Sequence, residues 1–219
     1  MLGCNLVILW LVSFSIVSYI LCSYLKLDTA LLRTILVWTL LMVFVAIFEG
    51  MLLFQYKYLE KKGNYYYDEN KCYWNEENSL SDIFSCKMYM DLYADYSLSD
   101  KRYCDNLVEN GGCRFVLQGE LIHGLFCVIM SLIIMYFYLF DYNKLYIYLS
   151  SIVFSSIQFA MIVWYLSTVF VEMYFVKNDK FWWYPLLWNV PWVIIPPYII
   201  YESIKEIINI QRVVPLGQE

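Results

Sequence analysis

An all-α integral membrane protein is what this sequence predicts: a five-transmembrane-helix bundle with a partly structured loop between helices 2 and 3. Two observations carry the prediction. Hydrophobic residues make up 61% of the 219 and charged residues only 16%, whereas a soluble domain carries about 25% charged residues. The apolar residues also gather into five runs bounded by charges, at 4–25, 34–56, 115–140, 145–171 and 181–201.

Each run can cross a hydrocarbon core of about 30 Å, which takes roughly 20 helical residues. Membrane strands would be shorter and would alternate in polarity. Backbone groups in lipid must also be satisfied within the segment, which favours helices. The first run is read as a span rather than a cleaved signal peptide. It lacks a basic leading region, its apolar core is long, and no small-x-small cleavage site follows cleanly.

The loop at 57–114 holds 11 of the 20 acids, 8 of the 15 bases and four of the seven cysteines. Those cysteines, Cys72, Cys86, Cys104 and Cys113, include no C-x-x-C pair, and the loop has no histidine, which argues against zinc. An even number outside the spans suggests at least one disulfide and an oxidising lumen; four reduced thiols in a cytosolic loop are the alternative. Cys4, Cys22 and Cys127 fall in spans and read as buried apolar side chains. Lys26, Arg33, Lys144, Lys205 and Arg212 fall on the side opposite the long loop, a mild positive-inside bias that leans the loop toward the lumen. Within the loop, 60–80 reads as irregular. "SDIFSCKMYMDLYADY" reads as a short amphipathic helix on the membrane surface, with a serine to cap it and Phe84, Met88 and Leu92 recurring every four residues. Gly111 and Gly112 mark a turn before the third span.

Nothing points to nucleic acid, since no basic patch or known motif is present. The informative residues are polar ones at membrane depth, where each costs free energy and tends to be partnered or functional. Glu49 lies in the second run, Glu120 and His123 in the third, Gln158 in the fourth and Asn189 in the fifth. In "RFVLQGELIHGLF" (114–126), Glu120 and His123 stand three residues apart, on one helical face, and His123 is the chain's single histidine. Glu-x-x-His is also the spacing of carboxylate-bridged di-metal bundles, but those need two such motifs. No metal and no cofactor are therefore expected. No G-x-S-x-G is present to support a serine hydrolase.

Two carboxyls in a dry bundle suit a different chemistry. Burial favours the neutral acid, which can protonate even a carbon–carbon double bond. A second group then removes a proton from a neighbouring carbon. Aromatic faces, in a chain that is 20% aromatic, can stabilise the cation between the two steps. The plainer alternative is that the polar groups bind one another and hold the helices together.

The fifth run, "FWWYPLLWNVPWVIIPPYIIYESIKEI" (181–207), resembles the last helix of the emopamil-binding protein family, the sterol Δ8–Δ7 isomerases of the EXPERA superfamily. The shared pattern is an aromatic cluster, then Asn189, Trp192 and Pro196, then a charged amphipathic exit. Four further stretches resemble the family in order: "IFEG" (47–50), "SDKRY" (99–103, against D-S-R-Y), "GELIHGL" (119–125) and "SSIQFAMIVWYL" (155–166). The resemblance covers most of 34–210, which sets an expected division into 1–33 (first helix and short loop), 34–210 and a tail at 211–219.

The resemblance implies Glu49 and Glu120 as proton-transfer carboxyls, Asn189 as an orienting amide and Trp192 as the face toward the cation. It also implies Phe181 and Trp182 as lining residues. It further implies a sterol or other hydrophobic small molecule as ligand, a location in the endoplasmic reticulum membrane, and a homodimer as an open oligomeric option. The sequence departs from the family at three places. The family's histidine one turn before the second-span glutamate is Val45 here, the connection from the D-x-R-Y stretch to Glu120 is longer, and an acidic residue near Gln158 is replaced by Met161. His123, one turn from Glu120, is the candidate to supply the missing imidazole. A non-catalytic sterol- or lipid-binding protein of the same fold is the alternative reading.

Overall fold

The computed structural model describes residues 2–98, 100–104, 113–141, 143–171 and 183–213, with some side chains, those of Cys4, Cys113 and 183–188 among them, left out of the description. Among the described residues, six α-helices follow one another: α1 (Gly3–Tyr24), α2 (Ala30–Glu69), α3 (Cys86–Asp95), α4 (Cys113–Tyr136), α5 (Lys144–Val171) and α6 (Trp183–Val213). Short 3-10 turns at Tyr73–Asn75, Leu80–Phe84, Tyr96–Leu98 and Lys101–Tyr103 fill the connection between α2 and α4.

Among the described residues, four helices are long and apolar enough to cross a membrane: Asn5–Tyr24, Ala30–Leu52, Gln118–Phe140 and Lys144–Phe170. The fifth expected span falls on α6, whose described part carries Pro191, Pro196 and Pro197 before Glu202, Lys205 and Glu206. The helix runs through those prolines. Pro185 sits in its first turn, where a missing N–H costs little.

The local signals account for the ends. The Thr29 hydroxyl accepts from the Leu32 N–H and starts α2. Lys26, at φ 50°, takes the left-handed conformation that ends α1. Asn70, at φ 53°, does the same for α2. The second helix therefore runs 40 residues and leaves the membrane as a stalk. Much of 60–80, expected to be irregular, is helix up to Glu69. No proline interrupts it, and its one glycine is a packing device. A Cβ on Gly63 would lie 2.5 Å from Cys104 Cβ, so the missing side chain lets the last 3-10 turns rest on the stalk.

The amphipathic helix expected over 81–96 forms as α3, with its apolar face packed against protein. Ser85 caps α3, its hydroxyl accepting from Met88 N–H at 3.1 Å, while Ser79 and Asp82 form a capping box for the turn before it. Met88, Tyr89, Met90 and Ala94 are buried against the stalk and the start of α1. The protein supplies the apolar surface that lipid was expected to supply. Two cores result. One joins α1, α2, α4, α5 and α6 within the membrane around Leu36, Met42, Ile134 and Phe154. The other gathers Trp10, Phe48, Tyr66, Tyr73 and Met88 at the loop end.

Cys72 and Cys86 are free thiols, so neither belongs to the expected disulfide. A pair between Cys104 and Cys113 falls on Cys113, whose side chain lies outside the described ones. An ion pair at 2.7 Å between Lys144 and Asp28 joins the 26–29 and 141–144 connections, which puts both at the same end of the bundle.

The D-x-R-Y stretch is fixed by a buried ion pair. Arg102 donates to Asp100 through Nε at 2.8 Å and through a terminal nitrogen at 2.6 Å, and reaches Thr168 of α5 at 3.2 Å. Both residues are buried. Removing one charge leaves the other uncompensated, which costs about 3–5 kcal/mol. Asp100→Asn is therefore expected to lower unfolding stability in detergent by about that amount. A loss below 1 kcal/mol would place the pair in contact with water.

Candidate functional site

Glu49 sits one turn before the loop-side end of the second span, and Glu120 just inside the start of the third. Antiparallel packing of α2 on α4 brings these ends together, so the acids meet without being neighbours in sequence. The approach is close because α4 carries a glycine at the crossing. A Cβ on Gly124 would stand 3.0 Å from Glu49 Oε2 and 3.1 Å from Glu49 Cβ. Gly50, by contrast, faces open space, so the glycine of "IFEG" has no such steric role.

His123 stands at this crossing. Its Nδ1 lies 2.8 Å from Glu49 Oε1 and 3.0 Å from Oε2. The other ring nitrogen, Nε2, lies 3.4 Å from Cys127 Sγ, one turn further along α4. Gln158 of α5 donates through Nε2 to the same sulfur at 3.7 Å, and Trp38 of α2 donates through Nε1 to Gln158 Oε1 at 2.5 Å. These contacts form a directional chain. The indole N–H on the amide oxygen turns the amide N–H toward the sulfur, and the imidazole lies between that sulfur and Glu49.

Glu120 is held from the loop. Tyr103, the tyrosine of the D-x-R-Y stretch, donates to Glu120 Oε1 at 2.8 Å. Burial first, and then the nearby carboxyl of Glu120, raise the Tyr103 phenol well above its ordinary value, so it remains a proton-bearing donor. The buried Asp100–Arg102 pair immediately before it fixes the backbone that presents this hydroxyl.

One atom each of Glu49, Glu120 and His123 lie within 4.8 Å of one another. By donor type and spacing the three could hold one metal ion. They fall short of a two-metal centre, which would need a second imidazole. They open onto a cavity of about 920 Å³, at the upper end of the roughly 300–1,000 Å³ of small-molecule sites. Its walls are mostly apolar and aromatic and come from α1, α2, α3, α4, α5 and α6, with Trp10, Phe44, Tyr93 and Trp164 among them.

The structure thus brings together Glu49, Glu120, His123, Asn189 and Trp192 on one cavity. Trp192 packs edge-on against Trp38, ring centroids 5.5 Å apart. Phe181 and Trp182 lie outside the described residues. Val45 lines the cavity one turn before Glu49, and His123 reaches that glutamate from the facing helix. Sequence reasoning missed Cys127, Trp38 and the hydrogen bond from Tyr103. Cys127 had a signal, standing at i+4 from His123. Trp38 had none, because its partner is 120 residues away.

Gly124→Val is expected to separate α2 from α4. Overpacking of this kind costs about 1–3 kcal/mol, and it should weaken any ligand held between the two carboxyls. Unchanged melting temperature and unchanged ligand retention would show that the crossing tolerates a side chain.

The family model described as EBP, EXPERA (EXPanded EBP superfamily), matches residues 88–203, from within α3 into α6. No curated protein and no solved structure matches the chain. The matched segment is just over half of the sequence and contains Tyr103, Glu120, His123, Gln158, Asn189 and Trp192, while Glu49 is brought to it by α2. The chain belongs to the EXPERA superfamily.

Proposed function

We propose that this protein is a sterol Δ8–Δ7 isomerase-like enzyme of the endoplasmic reticulum membrane. It crosses the bilayer five times, with 181–201 as the fifth span. The observation that carries the reading is the contact of His123 with Glu49, in an apolar cavity where Glu120 stands within a few ångströms. Two carboxyls and one imidazole on one site can give a proton to one carbon of a double bond and take one from the carbon on the far side of the resulting cation.

The steps balance without a cofactor. One carboxylic acid gives its proton to one carbon of the ring double bond, leaving a carbocation on the other. The Glu49–His123 pair or the facing carboxylate removes a proton from the adjacent carbon, and the electron pair of that C–H bond becomes the new double bond. One site group has then lost a proton and another has gained one. Transfer among Glu49, His123 and Glu120 restores the starting state. Trp192 offers an aromatic face to the cation, and Asn189 offers an amide to orient the ligand. The Tyr103 hydroxyl holds Glu120 in place.

A second reading has its own observation. Val45 stands where the related isomerases carry histidine, which fits a relative that binds a sterol or another lipid without turning it over. The imidazole of His123 on the same carboxylate favours catalysis.

Expression of the chain in a yeast strain lacking sterol isomerase tests the reading directly. Accumulated Δ8 sterols are expected to fall with the wild type and to persist with Glu49→Gln and with Glu120→Gln. No fall with a well-expressed wild type would remove the enzyme reading and leave the binding one.

The role of His123 has a separate test. General acid or base catalysis contributes about 10²–10⁴-fold in rate. His123→Gln keeps a polar group and is expected to lose activity on that scale, and adding Val45→His should restore part of it. Full turnover in His123→Gln would reduce the histidine to a helix-packing hydrogen bond.

A further inference from the structure

A second cavity, of about 620 Å³, opens at the opposite end of the bundle, in the seam between α1 and α2. Lys26 and Arg33 line it at the α1–α2 turn, and Ser15, Ser18, Ser23 and Val37 line it along the two helices. Among the described residues, no acidic side chain lines it. The nearest one in sequence, Asp28, is engaged with Lys144 at 2.7 Å. The cavity therefore carries two positive charges with no compensating acid on its wall.

One of the two cations is held in place. Arg33 donates through Nε to the Leu27 carbonyl at 3.0 Å, which fixes the guanidinium beside the turn. Lys26 is the left-handed residue that reverses the chain there, so its side chain leaves the backbone where α1 ends.

The hydroxyls differ from one another. Ser15 and Ser23 donate to carbonyls of their own helix, to Leu11 at 2.8 Å and to Tyr19 at 2.9 Å. Ser18 is 3% exposed, and its hydroxyl has no hydrogen-bond partner among the described residues. An unsatisfied hydroxyl at membrane depth is costly unless something else supplies an acceptor. Ser18 lies about 9 Å below the end of α1, at 1.5 Å rise per residue.

Positive charge at the membrane surface, an unpartnered donor below it and an apolar seam deeper still match the order of groups along a phospholipid. We infer that this seam binds an anionic phosphoglyceride. The phosphate sits between Lys26 and Arg33, where a guanidinium can donate two parallel hydrogen bonds to it. An ester carbonyl accepts from the Ser18 hydroxyl. An acyl chain runs past Val37 along the seam between α1 and α2. The site is separate from the carboxyl cavity, and it stands or falls independently of isomerase activity.

Native mass spectrometry of the full chain in detergent tests it, with phosphatidylserine and phosphatidylcholine of matched acyl chains as probes. The wild type is expected to retain one phosphatidylserine in preference to phosphatidylcholine. Lys26→Gln and Arg33→Gln should each weaken that retention about fivefold, the scale of one cation at a membrane surface. Lys26→Gln leaves the Arg33–Leu27 contact intact and so separates binding from folding. Ser18→Ala should weaken the diester lipid while leaving unchanged the binding of an ether-linked phosphatidylserine, which has no ester carbonyl. Equal retention of the two headgroups, or retention indifferent to Lys26→Gln, would overturn the inference. Displacement of the lipid by inorganic phosphate at equal concentration would overturn it too, by making this a simple anion site.

Discussion

The close crossing of α2 and α4 is the constraint on which the site depends. Without a side chain at Gly124, Glu49 lies against the facing helix, and its carboxylate meets the imidazole of His123 rather than lipid. A carboxyl at membrane depth is costly when alone. This one is matched by an imidazole that has Cys127, Gln158 and Trp38 behind it. One crossing thereby satisfies three polar side chains from three helices. The same groups leave a reactive edge open to a cavity.

The connection between α2 and α4 is part of the folded structure. The stalk of α2, the buried α3 and the 3-10 turns build a second core on top of the membrane bundle. From that core Tyr103 donates a hydrogen bond down to Glu120. The ion pair of Asp100 with Arg102, tied to Thr168 on α5, fixes the turn that presents the tyrosine. The loop therefore takes part in the site. Its charges, which in the sequence look like solvation, are in part used internally.

The two ends of the bundle are chemically distinct. Toward the loop, carboxyls, an imidazole and aromatic rings converge on a large apolar cavity. At the far end, basic residues and hydroxyls gather in the α1–α2 seam. The first helix touches both, with Trp10 at one end and Ser18 at the other, and much of its remaining surface is exposed apolar side chain. It lies outside the segment that matches the superfamily.

Composition and run length by themselves determined that the chain is helical and crosses a membrane, because a spanning backbone must satisfy its own hydrogen bonds and few other patterns do so in lipid. The rarity of charge in the runs also singled out Glu49, Glu120 and His123, since each is costly at depth and needs a reason to be there. Spacing put Glu120 and His123 on one face, but it gave no account of Glu49, 74 residues from its imidazole partner. Only the tertiary structure decided that His123 turns to Glu49, that Tyr103 serves Glu120, and that Cys127, Gln158 and Trp38 stand behind the ring. These contacts join different helices, and periodicity along one helix carries no information about the rotation of its neighbour. The fate of the amphipathic helix at 86–95 was decided the same way. Its pattern required an apolar surface, and the choice between lipid and protein depended on how far α2 continued beyond the membrane.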